Sequence, residues 1–144
     1  MVRNRASAKK AGSSFERDVA DYLKIALQDD RIDRRVRNGA LDKGDIANVR
    51  TVQGERVTIE VKNYGGQFKV TEWLNEVERE RINDDQAEMG VVVAKRRGVT
   101  SPAKQVVFMD LQTFTHLVNG KPFYSKVVVP AKEIGFPNVS IENN

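Results

Sequence analysis

Phe15, Val19, Tyr22, Leu23, Ala26 and Leu27 recur at intervals of three and four residues, which is the period of one helix face. With Ser13 or Ser14 as N-cap, the pattern predicts a helix over 13–28. Arg35-Val36-Arg37 is a short strand candidate, and Asn38 to Gly44 has the composition of a turn-rich connection. Two β-favouring runs, Asp45 to Thr51 and Val57 to Lys62, flank Gln53-Gly54 and read as a hairpin. From Thr71 to Glu88, Trp73, Leu74, Val77, Arg81, Ile82 and Met89 return to loosely helical intervals, with Gly90 as the stop. Val91 to Lys95 has the continuous apolar character of a strand buried on both faces, and Val106 to Met109 reads as another. Leu111, Phe114, Leu117 and Val118 predict a last helix; beyond it Pro122, Pro130 and Pro137 suit an edge, an arm or a tail. The expectation is an α/β chain in the order αβββαββα, with a central mixed sheet flanked by helices. No internal repeat interrupts it.

Composition narrows the chemistry more than the fold. The 144 residues hold no Cys and one His. Thiolate metal sites, Cys nucleophiles and disulfides are therefore excluded, and a reducing cytoplasm is the expected compartment, or a host cytoplasm if the chain is phage-encoded. Any catalysis must rest on carboxylates, lysine and an oxygen-ligated cation. No apolar run approaches the roughly 20 residues of a membrane span, and the basic N-terminus lacks the apolar stretch of a secretory signal.

Charge divides the chain. Residues 1–70 carry 15 basic and 10 acidic side chains, whereas 71–144 carry 9 and 10. The basic excess gathers at Arg3, Arg5, Lys9 and Lys10, then at Arg31, Arg34, Arg35 and Arg37, and again at Lys95, Arg96 and Arg97. Such clusters are the footprint of a polyphosphate partner or, more plainly, of solvated loops and a flexible tail. From Glu72 to Glu88 seven acids face two arginines, so that stretch is expected to turn away from phosphate.

Val57-Thr58-Ile59-Glu60-Val61-Lys62 concentrates the candidate chemistry. Alternation puts Val57, Ile59 and Val61 on one face and Thr58, Glu60 and Lys62 on the other. A turn centred on Gln53-Gly54 would set Asp45 across from Lys62 and Ala47 across from Glu60. Asp45 and Glu60 would then be diagonal neighbours, close enough to share a cation, with small Ala47 leaving room for it. Asn48 and Arg50 on the apolar face argue against that register. Glu16 has two readings: the last residue of a Ser13-x-x-Glu16 capping box, or a third acid reaching from the first helix toward the sheet.

Glu16 on a first helix, Gly44-Asp45 at a strand start, Glu60-Val61-Lys62 after a hairpin and basic Lys95-Arg96-Arg97 after a later strand together resemble the PD-(D/E)xK nuclease superfamily. The likeness is greatest to its archaeal-type Holliday junction resolvases and covers roughly residues 12–97; Gly44 stands where that family's proline is expected. The resemblance implies a restriction-endonuclease-like fold and Mg²⁺-dependent phosphodiester hydrolysis, with Mn²⁺ as a substitute. It implies that Asp45, Glu60 and the Val61 carbonyl bind the metal, that Glu16 supports it or a second ion, and that Lys62 acts at the attacking water. A basic flexible tail (1–12), a nuclease domain (13–120) and a proline-containing extension (121–144) then follow, the last a candidate dimer arm through Val127 to Val129. DNA contacts are expected from Arg3, Arg5, Lys9, Lys10, Arg34, Arg35, Arg37, Lys43, Tyr64, Lys95, Arg96 and Arg97. Partners would be branched or duplex DNA and a second copy of the chain. Two alternatives stay open: a nuclease of the same chemistry acting on ordinary duplex, and a noncatalytic nucleic-acid binder.

Other motifs are set aside. Gly39 to Gly44 has the outline of a phosphate loop, but Asp45 follows where Lys is required, so no nucleotide cofactor is expected. His116 reads as packing or surface, Trp73 as core, and Tyr64 as either a loop anchor or a stacking platform.

Overall fold

A computed structural model describes residues 4–37 and 39–122. The elements follow the expected order: α1 (Arg5–Ala26), β1 (Asp33–Arg34), β2 (Ile46–Ala47), β3 (Val57–Lys62), α2 (Val70–Asn83), β4 (Met89–Ala94), β5 (Val106–Phe108) and α3 (Leu111–Asn119). The sheet runs β1-β2-β3-β4-β5. Only the central β3/β4 pair is parallel, and α2 makes the crossover between them. Among the described residues no helix is long and apolar enough to cross a membrane.

Strand alternation builds two cores. Ile59 and Val61 on β3, with Val91 and Val93 on β4, meet Phe15, Val19 and Ala20 of α1. Val92 and Ala94 face the other way and take Trp73 and Val77 of α2. The helices thus cover opposite faces of the sheet, and β4 is buried on both, as its sequence suggests. Val106 to Phe108 does not share that burial: among the described residues β5 pairs with β4 alone, and Val107 is exposed. Leu111, Phe114, Leu117 and Val118 of α3 are also exposed, so its apolar positions do not join either core. The buried residue of α3 is His116, whose Nε2 lies 2.7 Å from Glu55 Oε2, a packing role.

Three expectations are corrected. The first helix begins eight residues earlier than Ser13: Asn4 is the N-cap, its Oδ1 accepting from the Ser7 amide at 2.8 Å, and the Ala- and Lys-rich residues 5–12 are helical rather than a tail. Ser13 and Glu16 therefore lie inside the helix and form no capping box. The first strand is Asp33–Arg34, not 35–37. The hairpin register also differs: Ile59 is opposed by Ile46 rather than by Asn48, while Arg50 bridges Arg56. Three residues on one strand thus span what two span on the other. The surplus is a bulge at Asn48, with φ 70° and an exposed side chain whose Nδ2 donates to the Arg31 carbonyl at 2.8 Å. It lets Ile46 and Val49 both enter the α1 core and leaves Asn48 and Arg50 in solvent. Arg3 and Val127 to Val129 lie outside the described residues.

Candidate active site

Asp45 is held by main chain on both sides. Its amide donates to the Ile59 carbonyl at 2.7 Å, and its carbonyl accepts from the Arg35 amide at 2.7 Å. With Ile46 opposite Ile59, Asp45 falls directly across from Glu60 instead of diagonally, and Ala47 pairs with Asp33 of β1. The Asp45 carboxylate turns onto the end of β3, where Oδ2 accepts from the Val61 amide at 2.8 Å. The Lys62 carbonyl accepts from Lys95 on the β4 side, so by alternation the Val61 carbonyl points toward Asp45. Burial raises the Asp45 pKa against the Val61 and Glu60 hydrogen bonds, and Asp42 adds to the rise.

Thr58, Glu60 and Lys62 face α2, which runs antiparallel to β3. Two strand residues advance about 6.6 Å and four helix residues about 6 Å, so the two elements keep step. Three rungs result. Thr58 Oγ1 donates to Asp84 Oδ2 at 3.3 Å, where Arg35 and Arg56 balance the acid at 3.2 and 3.6 Å. Lys62 Nζ donates to Glu76 Oε1 at 2.9 Å and lies 3.3 Å from Glu60 Oε1. The middle rung sets Glu60 against Glu80, acid on acid. Asp42 joins them, ligand oxygens of the three lying within 4.8 Å of one another. Asn83 Nδ2 fixes the Asp42 loop by donating to the Asp42 carbonyl at 3.0 Å.

Glu60 is 5% exposed and Glu80 3%, and one carboxylate oxygen of each, Oε2, is buried with no hydrogen-bond partner. Burial first, then the Glu80 carboxyl and the charge of Asp45, push Glu60 up to about 10. Burial likewise pushes Glu80 up to about 7, with Asp42, Glu76 and Asp45 adding to the rise and the hydrogen bond from Glu60 opposing it. Lys62 behaves oppositely. Burial lowers its pKa, but hydrogen bonds and charges from Glu76 and Glu60 outweigh that and hold the ammonium firmly protonated.

Glu16 does not join the three converging acids; it sits on the α1 side, 3.3 Å from Arg34 Nε. Burial and the charge of nearby Asp45 raise its pKa. Arg34 and Arg35 are engaged by Glu16 and Asp84. Arg37 is 75% exposed and 4.0 Å from Asp45 Oδ1, and Lys43 is half-buried in the loop between them. Arg5, Lys9 and Lys10 are exposed on the first turns of α1. Tyr64 meets the Trp73 edge at 5.4 Å yet stays partly exposed. Lys95 Nζ closes its own loop by donating to the Arg96 and Val99 carbonyls. Arg97 Nε donates to the Gly65 carbonyl at 3.1 Å, joining the loops that leave β3 and β4. Beside Lys62 opens a groove of about 760 Å³, lined by Gly12 of α1 and by Asn63, Tyr64 and Gln67.

Sequence reading missed Asp42, Glu76 and Glu80. Trp73, Val77, Glu80 and Asp84 form one helical stripe at spacings of four, three and four. A carboxylate on the stripe that carries the tryptophan was the available signal. It also corrects the view of α2 as acidic and turned away: Glu76 and Glu80 look inward onto β3. Compared with known proteins, the chain matches no family model, no curated protein and no solved structure.

Proposed function

We propose that the protein is a Mg²⁺-dependent DNA endonuclease of the PD-(D/E)xK kind that acts on branched DNA as a homodimeric junction resolvase. The observation that carries this reading is the contact between the Asp45 and Glu60 carboxyl groups, beside a charged Lys62 at the same end of β3. The αβββαββα order, with α1 and α2 on opposite faces of a mixed sheet, supports a restriction-endonuclease-like fold.

The donors fit a hard cation. They are all oxygens, and the Glu60 oxygen without a partner is the kind of buried atom a metal satisfies. Asp45, Glu60 and the Val61 carbonyl would hold Mg²⁺ or Mn²⁺, which when bound supplies Lewis-acid activation of the phosphate and its attacking water. Lys62, kept protonated by Glu76 and Glu60, serves as a fixed positive charge beside the developing oxyanion and is unsuited to be a general base. Glu76 orients that ammonium from the helix side. Exposed Arg5, Lys9, Lys10, Arg96 and Arg97 are available to backbone phosphates.

Cleavage of a synthetic four-way junction tests the reading. Wild type should cut it in Mg²⁺ and not in EDTA, and Asp45→Ala or Glu60→Ala should lower the rate by roughly 100-fold to 1,000-fold or more while sparing DNA binding. Wild-type rates in either variant overturn the assignment. Equal cutting of a linear duplex of the same sequence, or a monomer by sedimentation at micromolar concentration, would remove the junction preference and keep the nuclease.

A further inference from the structure

The three rungs between β3 and α2 are not equivalent. At the outer two, a hydroxyl and two guanidinium groups complement Asp84, and an ammonium complements Glu76. At the middle rung two nearly buried carboxyl groups face each other, each with an Oε2 that has no hydrogen-bond partner among the described residues. Only something positive and small completes that layer: a shared proton or a metal ion. A metal ion could also engage Asp42, whose carboxylate accepts from the Gly44 amide at 3.0 Å and lies 3.6 Å from Arg37. The Asp42 loop is tied to α2 through Asn83 and delivers a third carboxylate to the same point.

We propose that Asp42, Glu60 and Glu80 form a divalent-cation site between β3 and α2, so that metal is held from the α2 face of the sheet as well as by Asp45. The ligand atoms lie within 4.8 Å of one another, close enough for one oxygen-ligated cation to reach all three. Three carboxylates and no nitrogen or sulfur select Mg²⁺, Mn²⁺ or Ca²⁺ over zinc or copper. Glu60 is common to this site and to the Asp45 side, so an ion here lies next to the reacting centre. The inference rests on the nuclease reading for what the cation does, not for whether it binds.

Mn²⁺ binding, followed by electron paramagnetic resonance of the free ion and by calorimetry, tests it without reference to cleavage. Glu80→Gln and Asp42→Asn should each weaken Mn²⁺ binding at least tenfold, whereas Glu72→Gln, the same charge change on the exposed face of α2, should shift it less than twofold. Mn²⁺ should raise the melting temperature of wild type more than that of Glu80→Gln. Circular dichroism and a cooperative metal-free melting transition of Glu80→Gln separate impaired binding from impaired folding. Wild-type Mn²⁺ affinity in folded Glu80→Gln overturns the site. Glu80-dependent Mn²⁺ binding without DNA cleavage upholds the site and overturns the nuclease; cleavage with Glu80-independent binding does the reverse.

Discussion

Gly44 occupies the position where the resembled family carries proline, and its backbone says why the two cannot exchange. Its φ is +90°, and a Cβ there would lie 2.9 Å from the Ile59 carbonyl oxygen. Proline is confined near −65°, so this chain turns into Asp45 by a path open to glycine. Gly44→Ala should cost about 1–3 kcal/mol of stability, read as a lower urea midpoint with an unchanged slope. Asp45, Glu60 and Lys62 were legible in the sequence because strand alternation alone puts an acid and a lysine on one face and a hairpin supplies the second acid. Glu80 was not, since its helix is rich in acids and its position on the stripe of Trp73 and Val77 shows only when that stripe is followed. Glu16 was legible as a residue of interest but not in its partnership: no local pattern joins it to Arg34, 18 positions away.

Between β3 and α2, the element scale, the strand and helix repeats stay in step for three rungs and then part. The acid-on-acid rung has a consequence for pH. Burial pushes the Glu60 carboxyl up to about 10 and the Glu80 carboxyl up to about 7, from an ordinary value of 4.5. A raised acid keeps its proton in the fold and loses it on unfolding, so the native state binds more protons and stability falls as pH rises. The fall should begin near the unfolded value, continue through about 7 and extend toward about 10. Its slope is bounded by about 1.4 kcal/mol per pH unit for each proton retained. Urea denaturation in EDTA across pH 5 to 9, roughly the span between those values, should show that decline in wild type and a shallower one in Glu80→Gln. The order of elements was readable from period and turn residues. The hairpin register was not, because one residue of bulge is invisible to a count made from the turn. The start of α1 was missed for a related reason: residues 5–12 have helical propensity without an apolar stripe, so periodicity could not see them.

Over the whole molecule, the modest net charge of +4 conceals a division of labour. The arginines counted as a basic patch at 31–37 are largely spent internally, Arg31 on Asp29, Arg34 on Glu16, Arg35 on Asp84 and Arg37 on Asp42. The cations left for a partner lie on the first turns of α1 and in the loops at the end of β3 and β4. Lys9→Ala with Lys10→Ala should weaken DNA binding and lower its log–log salt slope by about one for each phosphate no longer neutralised. Melting should be unchanged, because both side chains are exposed and alanine favours the helix. The bulge at Asn48 bears on kinship. Asp45 and Glu60 stand fifteen positions apart here, yet a strand without the extra residue would bring the same two carboxylates together at an interval one shorter. Chains descended from a common hairpin can therefore differ in that spacing and still keep the pair, so a relative of this protein is better recognised by which residues oppose one another than by how many lie between them.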